Sequence, residues 1–225
     1  MALKTTESTP SYVNVLYNNI WSASKVIMDK AYDCLPSINS NSTEVETNTD
    51  QDNTRIFPDV STVKCWTYMF YDPNHILDNI YLGNAVNAGS ELTLETFKIR
   101  YILNMTTEIS NYHAFKNKYK YERYSIYDNN QESIYNYLEE AYNKIIEFQN
   151  SAKSDDEPKN ILVHCYAGRS RSASVVIYYV MKKLELCPDD AIEYVKNRRP
   201  IINPTFIFKN DLEKAYIEMK QNKIE

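Results

Sequence analysis

From about residue 60 onward, short apolar runs alternate with stretches that carry apolar side chains at helical spacing. The runs predict strands at Ile76 to Leu82, Tyr101 to Met105, Tyr121 to Tyr127 and Ile161 to His164. The helical spacing predicts a short helix over Leu92 to Phe97 and longer helices over residues 134–148, from about Arg171, from Pro188 and over 204–220. Strands alternating with helices predict an α/β fold, with a central, mainly parallel, twisted sheet flanked by helices.

The first 59 residues follow a different pattern. Apolar positions at roughly helical spacing over residues 12–35 predict an amphipathic helix within an N-terminal helical extension, residues 1–35. This helix can pack on its own domain or on a second copy of the chain as a homodimer, or it can dock on a partner or a membrane surface. Residues 36–59 are predicted to form a flexible polar linker, and residues 60–225 a single domain.

Composition and charge exclude several classes of partner. The 225 residues carry a net charge of −5, which gives no general attraction to nucleic acid or to anionic membranes. The 4 cysteines show no spacing typical of a metal site. Neither a signal peptide nor an apolar run of about 18 residues that could span a bilayer is recognised. A reducing, cytoplasmic location is therefore expected.

The strongest chemical signal is the segment His164-Cys165-Tyr166-Ala167-Gly168-Arg169-Ser170-Arg171-Ser172, between a buried strand and a helix. Successive backbone N–H groups of such a loop can point at one centre, and the helix adds its positive N-terminal end. Gly168, one of only 3 glycines in the chain, supplies the backbone freedom that a tight loop needs. Arg171 can hold two phosphate oxygens, and the same field favours the thiolate of Cys165. The segment predicts a nucleophile facing a bound phosphoryl group.

This segment resembles the HCxxGxxRS signature of the cysteine-dependent phosphatases, and its ending resembles the dual-specificity protein phosphatases in particular. The resemblance implies a protein tyrosine phosphatase-like fold and a phosphocysteine intermediate formed on Cys165, with Arg171 as the phosphate clamp. It also implies that Ser172 assists departure of the thiolate and that His164 orients the loop. Tyr166, Ala167, Gly168, Arg169 and Ser170 would bind the substrate phosphate. No metal or organic cofactor is expected.

The resemblance extends over about 150 residues, and the predicted domain at residues 60–225 is accordingly expected to be a dual-specificity phosphatase catalytic domain. Residues 80–83, 101–106 and 188–200 are all similar to their counterparts in that family. One departure follows Pro204, where the family usually has an asparagine that supports the phosphate loop and this chain has Thr205. The sequence does not indicate which residue supports the phosphate loop in place of that asparagine, and Asn203 is a candidate.

A general acid is needed to protonate the leaving oxygen, and strand direction selects a candidate. Functional residues of a parallel sheet lie at the carboxyl ends of its strands. Both Cys165 and Asp128 follow the end of a predicted strand, whereas Asp155, Asp156 and Glu157 precede one. Asp128 also stands where the dual-specificity family carries its acid. We therefore predict Asp128 as the general acid, with Glu132 as the reserve candidate.

The resemblance implies a phosphatase for phosphotyrosine and phosphoserine or phosphothreonine in proteins. No segment resembles the phosphotyrosine-recognition loop of the tyrosine-specific relatives, which favours a shallower pocket. Two alternatives stay open: a lipid phosphatase of the same mechanism, for which Arg169 could bind a second phosphate, and a non-catalytic protein that binds phosphoproteins. RNA 5′-triphosphatase activity is disfavoured by the acidic charge and the lack of a basic tract.

Overall fold

The computed structural model describes residues 71–129, 131–152 and 159–222. Five strands form one sheet: β1 (Asn74–Leu77), β2 (Ile80–Gly83), β3 (Ile99–Asn104), β4 (Lys120–Arg123) and β5 (Asn160–His164). The helices are α1 (Ala85–Gly89), α2 (Glu91–Thr96), α3 (Tyr135–Ala152), α4 (Arg171–Leu184), α5 (Pro188–Arg198) and α6 (Phe206–Gln221). The predicted N-terminal helix, a homodimer formed through it, and the linker lie outside the described residues, and the domain boundary at residue 60 stays a prediction.

The sheet has the strand order β1-β2-β5-β3-β4. Strand β5 lies at its centre and pairs in parallel with β2 on one side and β3 on the other. Strand β4 is parallel to β3, whereas β1 is antiparallel to β2. The predicted α/β fold with a mainly parallel sheet is therefore confirmed.

Side chains that alternate along the central strand build two cores. Ile161 and Val163 belong to the larger cluster, which the helices α3, α4, α5 and α6 cover. Leu162 points to the opposite face and packs with Ala88 and Leu94 of α1 and α2. Burial on both faces explains why β5 reads as an uninterrupted apolar run.

The predicted strand from Ile76 to Leu82 is wrong in one respect, because the chain reverses within it. Strands β1 and β2 are antiparallel and are joined by a turn at Asp78, whose φ of 51° lies in the left-handed region. The Tyr179 hydroxyl donates a hydrogen bond to the Asp78 carboxylate, which helps to hold this turn. An aspartate tolerates the left-handed conformation better than most residues, so the continuous apolar pattern conceals the turn.

The strand predicted at Tyr121 to Tyr127 is also shorter than expected, because β4 ends at Arg123. Beyond it, Tyr124 and Ile126 remain buried, and Tyr124 N still donates a hydrogen bond to Asn104 O at the end of β3. The alternation of buried and exposed side chains thus continues past the last pair of the register, Asn104 and Arg123. Asp128 reaches the carboxyl edge of the sheet through this segment rather than directly from a strand.

No helix in the described part of the chain is long and apolar enough to cross a membrane.

Candidate active site

The segment 164–172 occupies the carboxyl end of the central strand, as predicted. Strand β5 ends at His164, Cys165 is the next residue, and α4 begins at Arg171. Cys165 is almost completely buried, with 1% of its surface exposed. The Ser172 hydroxyl, in the first turn of α4, lies 3.1 Å from the Cys165 sulfur and donates a hydrogen bond to it. The structure therefore brings these two predicted residues into direct contact.

The backbone of the loop is held by its carbonyl groups. Each carbonyl oxygen from residue 166 to residue 170 accepts a hydrogen bond, and the donors in order are Ala85 N, Arg199 Nη2, Arg199 Nε, Asn203 N and Ser174 N. In a trans peptide the N–H points opposite to the preceding carbonyl. With the carbonyls directed outward, the N–H groups of residues 167–171 point toward the inside of the loop. This geometry can bind an oxyanion.

Arg199 is a residue of the site that sequence reasoning missed. Arg199 is 1% exposed, and its guanidinium donates to Gly168 O over 2.9 Å and to Ala167 O over 3.5 Å. Nη1 donates to the Asn74 side chain over 2.7 Å. Burial lowers the pKa of Arg199 to about 10, although the charge of Cys165 opposes this shift. Arg199 therefore remains a buried cation behind the loop at neutral pH.

Gly168 is required by both conformation and space. Its φ is +68°, and a Cβ atom at this position would lie 2.4 Å from Gly83 O and 2.7 Å from Arg199 Nη2. Both contacts are too short for a carbon atom, and one of them is with the backbone of β2. The structure therefore places at Gly168 a backbone conformation and a close approach that suit glycine.

Arg171 is fixed by Glu108, a second residue that sequence reasoning missed. The guanidinium donates to the Glu108 carboxylate from Nη2 over 2.7 Å and from Nη1 over 2.9 Å. Nη1 also donates to Ile126 O over 3.0 Å. Burial acts to raise the pKa of Glu108, but the hydrogen bonds and charge of Arg171 outweigh it and hold that pKa below its ordinary value.

These contacts leave one edge of the Arg171 guanidinium available. An arginine has five N–H donors, and Glu108 and Ile126 take three of them. Nε is buried and makes no hydrogen bond with any described residue. The N–H of Nε and the second N–H of Nη2 lie along the same edge of the guanidinium. Two parallel N–H groups of this kind can bind two oxygens of a phosphate.

Asp128 lies beside this edge, with its Oδ2 atom 3.5 Å from Arg171 Nε. Its side chain is 36% exposed, so it reaches both solvent and the loop. Glu132, the reserve candidate, instead accepts a hydrogen bond from the backbone N–H of Tyr127 over 2.9 Å. The structure thus brings Asp128 to the predicted phosphate clamp and uses Glu132 to hold the adjacent backbone.

His164 is buried, with 1% of its surface exposed; its backbone contacts the residue after β3 and its ring contacts the loop. Its carbonyl accepts from Met105 N over 2.9 Å, and ring Nδ1 lies 3.3 Å from Cys165 O. Burial lowers the pKa of His164 to about 4, so the imidazole is neutral at physiological pH. A neutral, buried ring fits an orienting role.

Thr205, the departure from the family pattern, lies at the start of α6. Thr205 caps α6, since its side chain accepts a hydrogen bond from Phe208 N. Asn203 contacts the loop, because its backbone N–H donates to Arg169 O over 2.8 Å. Arg169 Nε also donates to Ile201 O over 3.1 Å. The contact of Asn203 with the loop is thus made by its backbone, and its substitution for the family's asparagine stays a prediction.

Glu108 and Arg199 each follow a regular element, but no local spacing marks either one. Glu108 lies four residues beyond the end of β3, the strand beside β5, so strand direction alone could have placed it at the correct edge. Arg199 directly follows α5, within a segment already similar to the family. Both are charged groups whose partners are distant in sequence.

Comparisons with known proteins agree with this geometry. A model of the family "Dual specificity phosphatase, catalytic domain" matches residues 80–218. The chain is 36% identical over 141 residues to protein phosphatase Slingshot of Drosophila melanogaster, covering 63% of this chain and 13% of that protein. It is 36% identical over 140 residues to human dual specificity protein phosphatase 9, covering 62% of this chain and 35% of that protein.

Solved structures give the same result for the fold. The crystal structure of human DUSP28 superposes with a TM-score of 0.59 at 25% identity, covering 67% of this chain and 96% of that one. The chain spans about one eighth to one third of the two curated relatives' own length, so what is shared is their catalytic domain. The family model, which covers more than half of the chain, shows that this protein belongs to the dual specificity phosphatase family.

Proposed function

We propose that the protein hydrolyses phosphotyrosine and phosphoserine or phosphothreonine in proteins through a phosphocysteine intermediate. The observation that carries the proposal is the convergence of Cys165, Arg171 and Asp128 at the carboxyl edge of the sheet, around a loop whose carbonyls are all directed outward. Such a convergence of nucleophile, anion site and acid is what phosphoryl transfer requires.

Substrate binding uses the loop and the arginine together. The backbone N–H groups of residues 167–171 and the Nε–Nη2 edge of Arg171 bind the phosphoryl oxygens. The N-terminal end of α4 adds its partial positive charge, and buried Arg199 adds a full one. These groups are ordered before substrate arrives, so little reorganisation is needed as charge develops in the transition state.

In the first chemical step the Cys165 sulfur attacks phosphorus, and the bond from phosphorus to the leaving oxygen breaks. Asp128 acts as the general acid and donates a proton to that oxygen, so the alcohol or phenol leaves neutral. Its position beside Arg171 Nε places the carboxyl next to the bound phosphoryl group. The products of this step are the phosphocysteine and the Asp128 carboxylate.

In the second step water attacks the phosphocysteine, and the Asp128 carboxylate accepts its proton. The sulfur–phosphorus bond breaks, and phosphate and the Cys165 thiolate are released. The Ser172 hydroxyl donates a hydrogen bond to this sulfur, which stabilises the departing thiolate. The cycle restores every group to its initial state and uses only the chain's own residues and water.

A substrate panel tests the proposal. Phosphotyrosine, phosphoserine and phosphothreonine peptides, vesicles containing a phosphoinositide, and triphosphorylated RNA are compared, with Cys165→Ser as the blank. Release of phosphate from both tyrosine and serine or threonine peptides, absent with Cys165→Ser, is the expected result. Faster release from the lipid contradicts the protein substrate class, and no release from any substrate, with binding retained, contradicts catalysis.

A further inference from the structure

Helix α6 carries a row of polar side chains that contact the start of α3. Asp211, Lys214 and Glu218 are spaced by three and four residues, so they lie along one side of the helix. Their partners are Ser133 and Ile134, which end the acid loop, and Tyr135, the first residue of α3. We use this name for residues 127–134, of which the structure describes all but 130.

Asp211 makes the most specific of these contacts. Its Oδ2 atom accepts a hydrogen bond from the backbone N–H of Ile134 over 2.8 Å and from the Ser133 hydroxyl over 3.0 Å. Ile134 is fully buried and Asp211 is half-buried, so the carboxylate lies at the protein surface but faces a fixed backbone donor. A negative charge at the first turn of α3 also interacts favourably with the dipole of that helix.

The two other α6 residues hold Tyr135. The Lys214 ammonium lies 3.8 Å from the centre of the Tyr135 ring. The Tyr135 hydroxyl hydrogen-bonds Glu218, which raises the pKa of this tyrosine to about 12. Lys214 and Glu218 are both exposed, so their contributions are weaker than that of the half-buried Asp211.

The rest of the acid loop is held by its own atoms. The Asn129 side chain accepts from the N–H groups of Gln131 and Glu132, and the Glu132 carboxylate accepts from Tyr127 N. At its start the loop is tied to the active site, because Ile126 O accepts from Arg171. At its end it is tied to α6 through Asp211. A displacement at that end would therefore be passed to Asp128.

We propose that Asp211 is a positioning residue that keeps Asp128 at the phosphoryl site by fixing the end of the acid loop to α6. The inference rests on the proposed function, since it needs Asp128 to be the general acid. Helix α6 begins directly after the segment in which Asn203 contacts the phosphate loop. One helix thus sets the position of the acid loop relative to the loop that binds phosphate.

The test compares Asp211→Ala with Glu213→Ala, which removes an exposed carboxylate on the other side of the same helix. Hydrolysis is measured for phosphate esters that span a wide range of leaving-group pKa. For the poorest leaving groups, Asp211→Ala is expected to lower kcat by about 10- to 100-fold, the loss that a misplaced group causes. The kcat for the best leaving group and the KM for all esters are expected to stay within about twofold, as for Glu213→Ala.

Two further variants separate positioning from a general effect on stability. Asp211→Asn keeps an oxygen that can accept from Ile134 N, so it is expected to recover part of the lost kcat. In an Asp128→Asn background, Asp211→Ala is expected to cause no additional loss.

Four outcomes would overturn the proposal. An equal loss for all leaving groups, or the same loss with and without Asp128, would mean that Asp211 acts on folding or on the phosphate loop. A leaving-group effect in Asp128→Asn that is absent in Asp211→Ala would refute the positioning role alone. No leaving-group effect in Asp128→Asn itself would refute the proposed acid as well.

Discussion

Arg171 and Glu108, which are 63 residues apart in the chain, form two parallel hydrogen bonds of 2.9 and 2.7 Å. This pairing fixes the rotation of the guanidinium, so that its Nε–Nη2 edge faces Asp128 instead of turning away. Glu108 therefore helps to set the position of the phosphate clamp at the start of α4.

The first prediction concerns Glu108. Glu108→Gln removes the charge and one of the two acceptors, so Arg171 is held less firmly. Charge-assisted hydrogen bonds contribute about 1.5–3 kcal/mol, which corresponds to a fall in kcat/KM of about 10- to 100-fold. Steady-state kinetics with an aryl phosphate measures kcat/KM. Glu140→Gln, on the exposed side of α3, is the control. An unchanged kcat/KM in Glu108→Gln would show that Arg171 needs no such partner.

The second prediction concerns Gly168. Gly168→Ala places a Cβ atom 2.4 Å from Gly83 O at a φ of +68°, so the loop has to shift. Left-handed backbone costs an L-residue about 1–2 kcal/mol before any collision is counted. We expect a lower Tm and loss of most activity.

Gly89→Ala is the matched control for this change. A Cβ at Gly89 meets only the Tyr112 ring, at an ordinary 3.4 Å. Thermal melts and phosphate-ester hydrolysis are expected to be close to wild type in Gly89→Ala. Equal effects of the two alanines would contradict a special role for the backbone of the loop.

The third prediction concerns Arg199. Arg199→Lys keeps the positive charge but cannot donate to Ala167 O, Gly168 O and Asn74 with the same fixed geometry. An unsatisfied buried acceptor costs about 1–3 kcal/mol, so Tm and affinity for inorganic phosphate should both fall. Arg198→Lys is the control, since the exposed Arg198 contacts Tyr194 and not the loop. Wild-type phosphate affinity in Arg199→Lys would remove Arg199 from the site.

The fourth prediction is a dependence of stability on pH. Burial lowers the pKa of His164 from 6.5 to about 4, so between these values the unfolded chain binds more protons than the folded chain. The contribution of His164 to the free energy of unfolding keeps its full value above pH 6.5 and decreases as the pH is lowered toward 4. The loss reaches about 3 kcal/mol.

Denaturant unfolding of the wild type and of His164→Gln, at several pH values, measures this dependence. Glutamine does not titrate. The free energy of unfolding of the variant should therefore rise relative to that of the wild type as the pH falls from 6.5 to 4. A difference that is constant with pH would show that His164 titrates normally in the folded protein.

The fifth prediction concerns the acid. Asp128→Asn should lower kcat by about 10²- to 10⁴-fold for esters with poor leaving groups and much less for good ones. Glu132→Gln is the matched control, because glutamine still accepts the hydrogen bond from Tyr127 N while losing its acidity. A leaving-group effect in Glu132→Gln and none in Asp128→Asn would exchange the roles of the two residues.

The sequence predicts the parts of the site that are carried by local patterns. The apolar run before Cys165 and the spacing to Arg171 indicate both the strand and the loop, and the structure confirms them. Asp128 is also placed correctly, although the stated reason is wrong, because β4 ends at Arg123 and not at Tyr127. The rule that functional residues lie at carboxyl ends of strands tolerates such an error in length.

The parts that sequence reasoning missed depend on contacts between distant residues. In the sequence, Glu108 and Arg199 are indistinguishable from other charged residues. Their partners are distant in the chain, so no local spacing indicates the contacts. The turn at Asp78 is concealed for a different reason, since apolar residues continue on both sides of it. Asn203 is singled out by the sequence, but its contact with the loop is made by its backbone N–H, which side-chain identity does not indicate.

In the proposed mechanism phosphate passes through the Cys165 sulfur, and trapping of the phosphocysteine shows whether it does. The enzyme is mixed with an aryl ester of labelled phosphate, quenched in acid within one turnover and digested for peptide mapping. We predict label on Cys165, and more of it in Ser172→Ala, because loss of the hydrogen bond over 3.1 Å slows departure of the thiolate. Absence of label from Cys165 in both proteins, together with continued turnover by Cys165→Ser, would contradict the account.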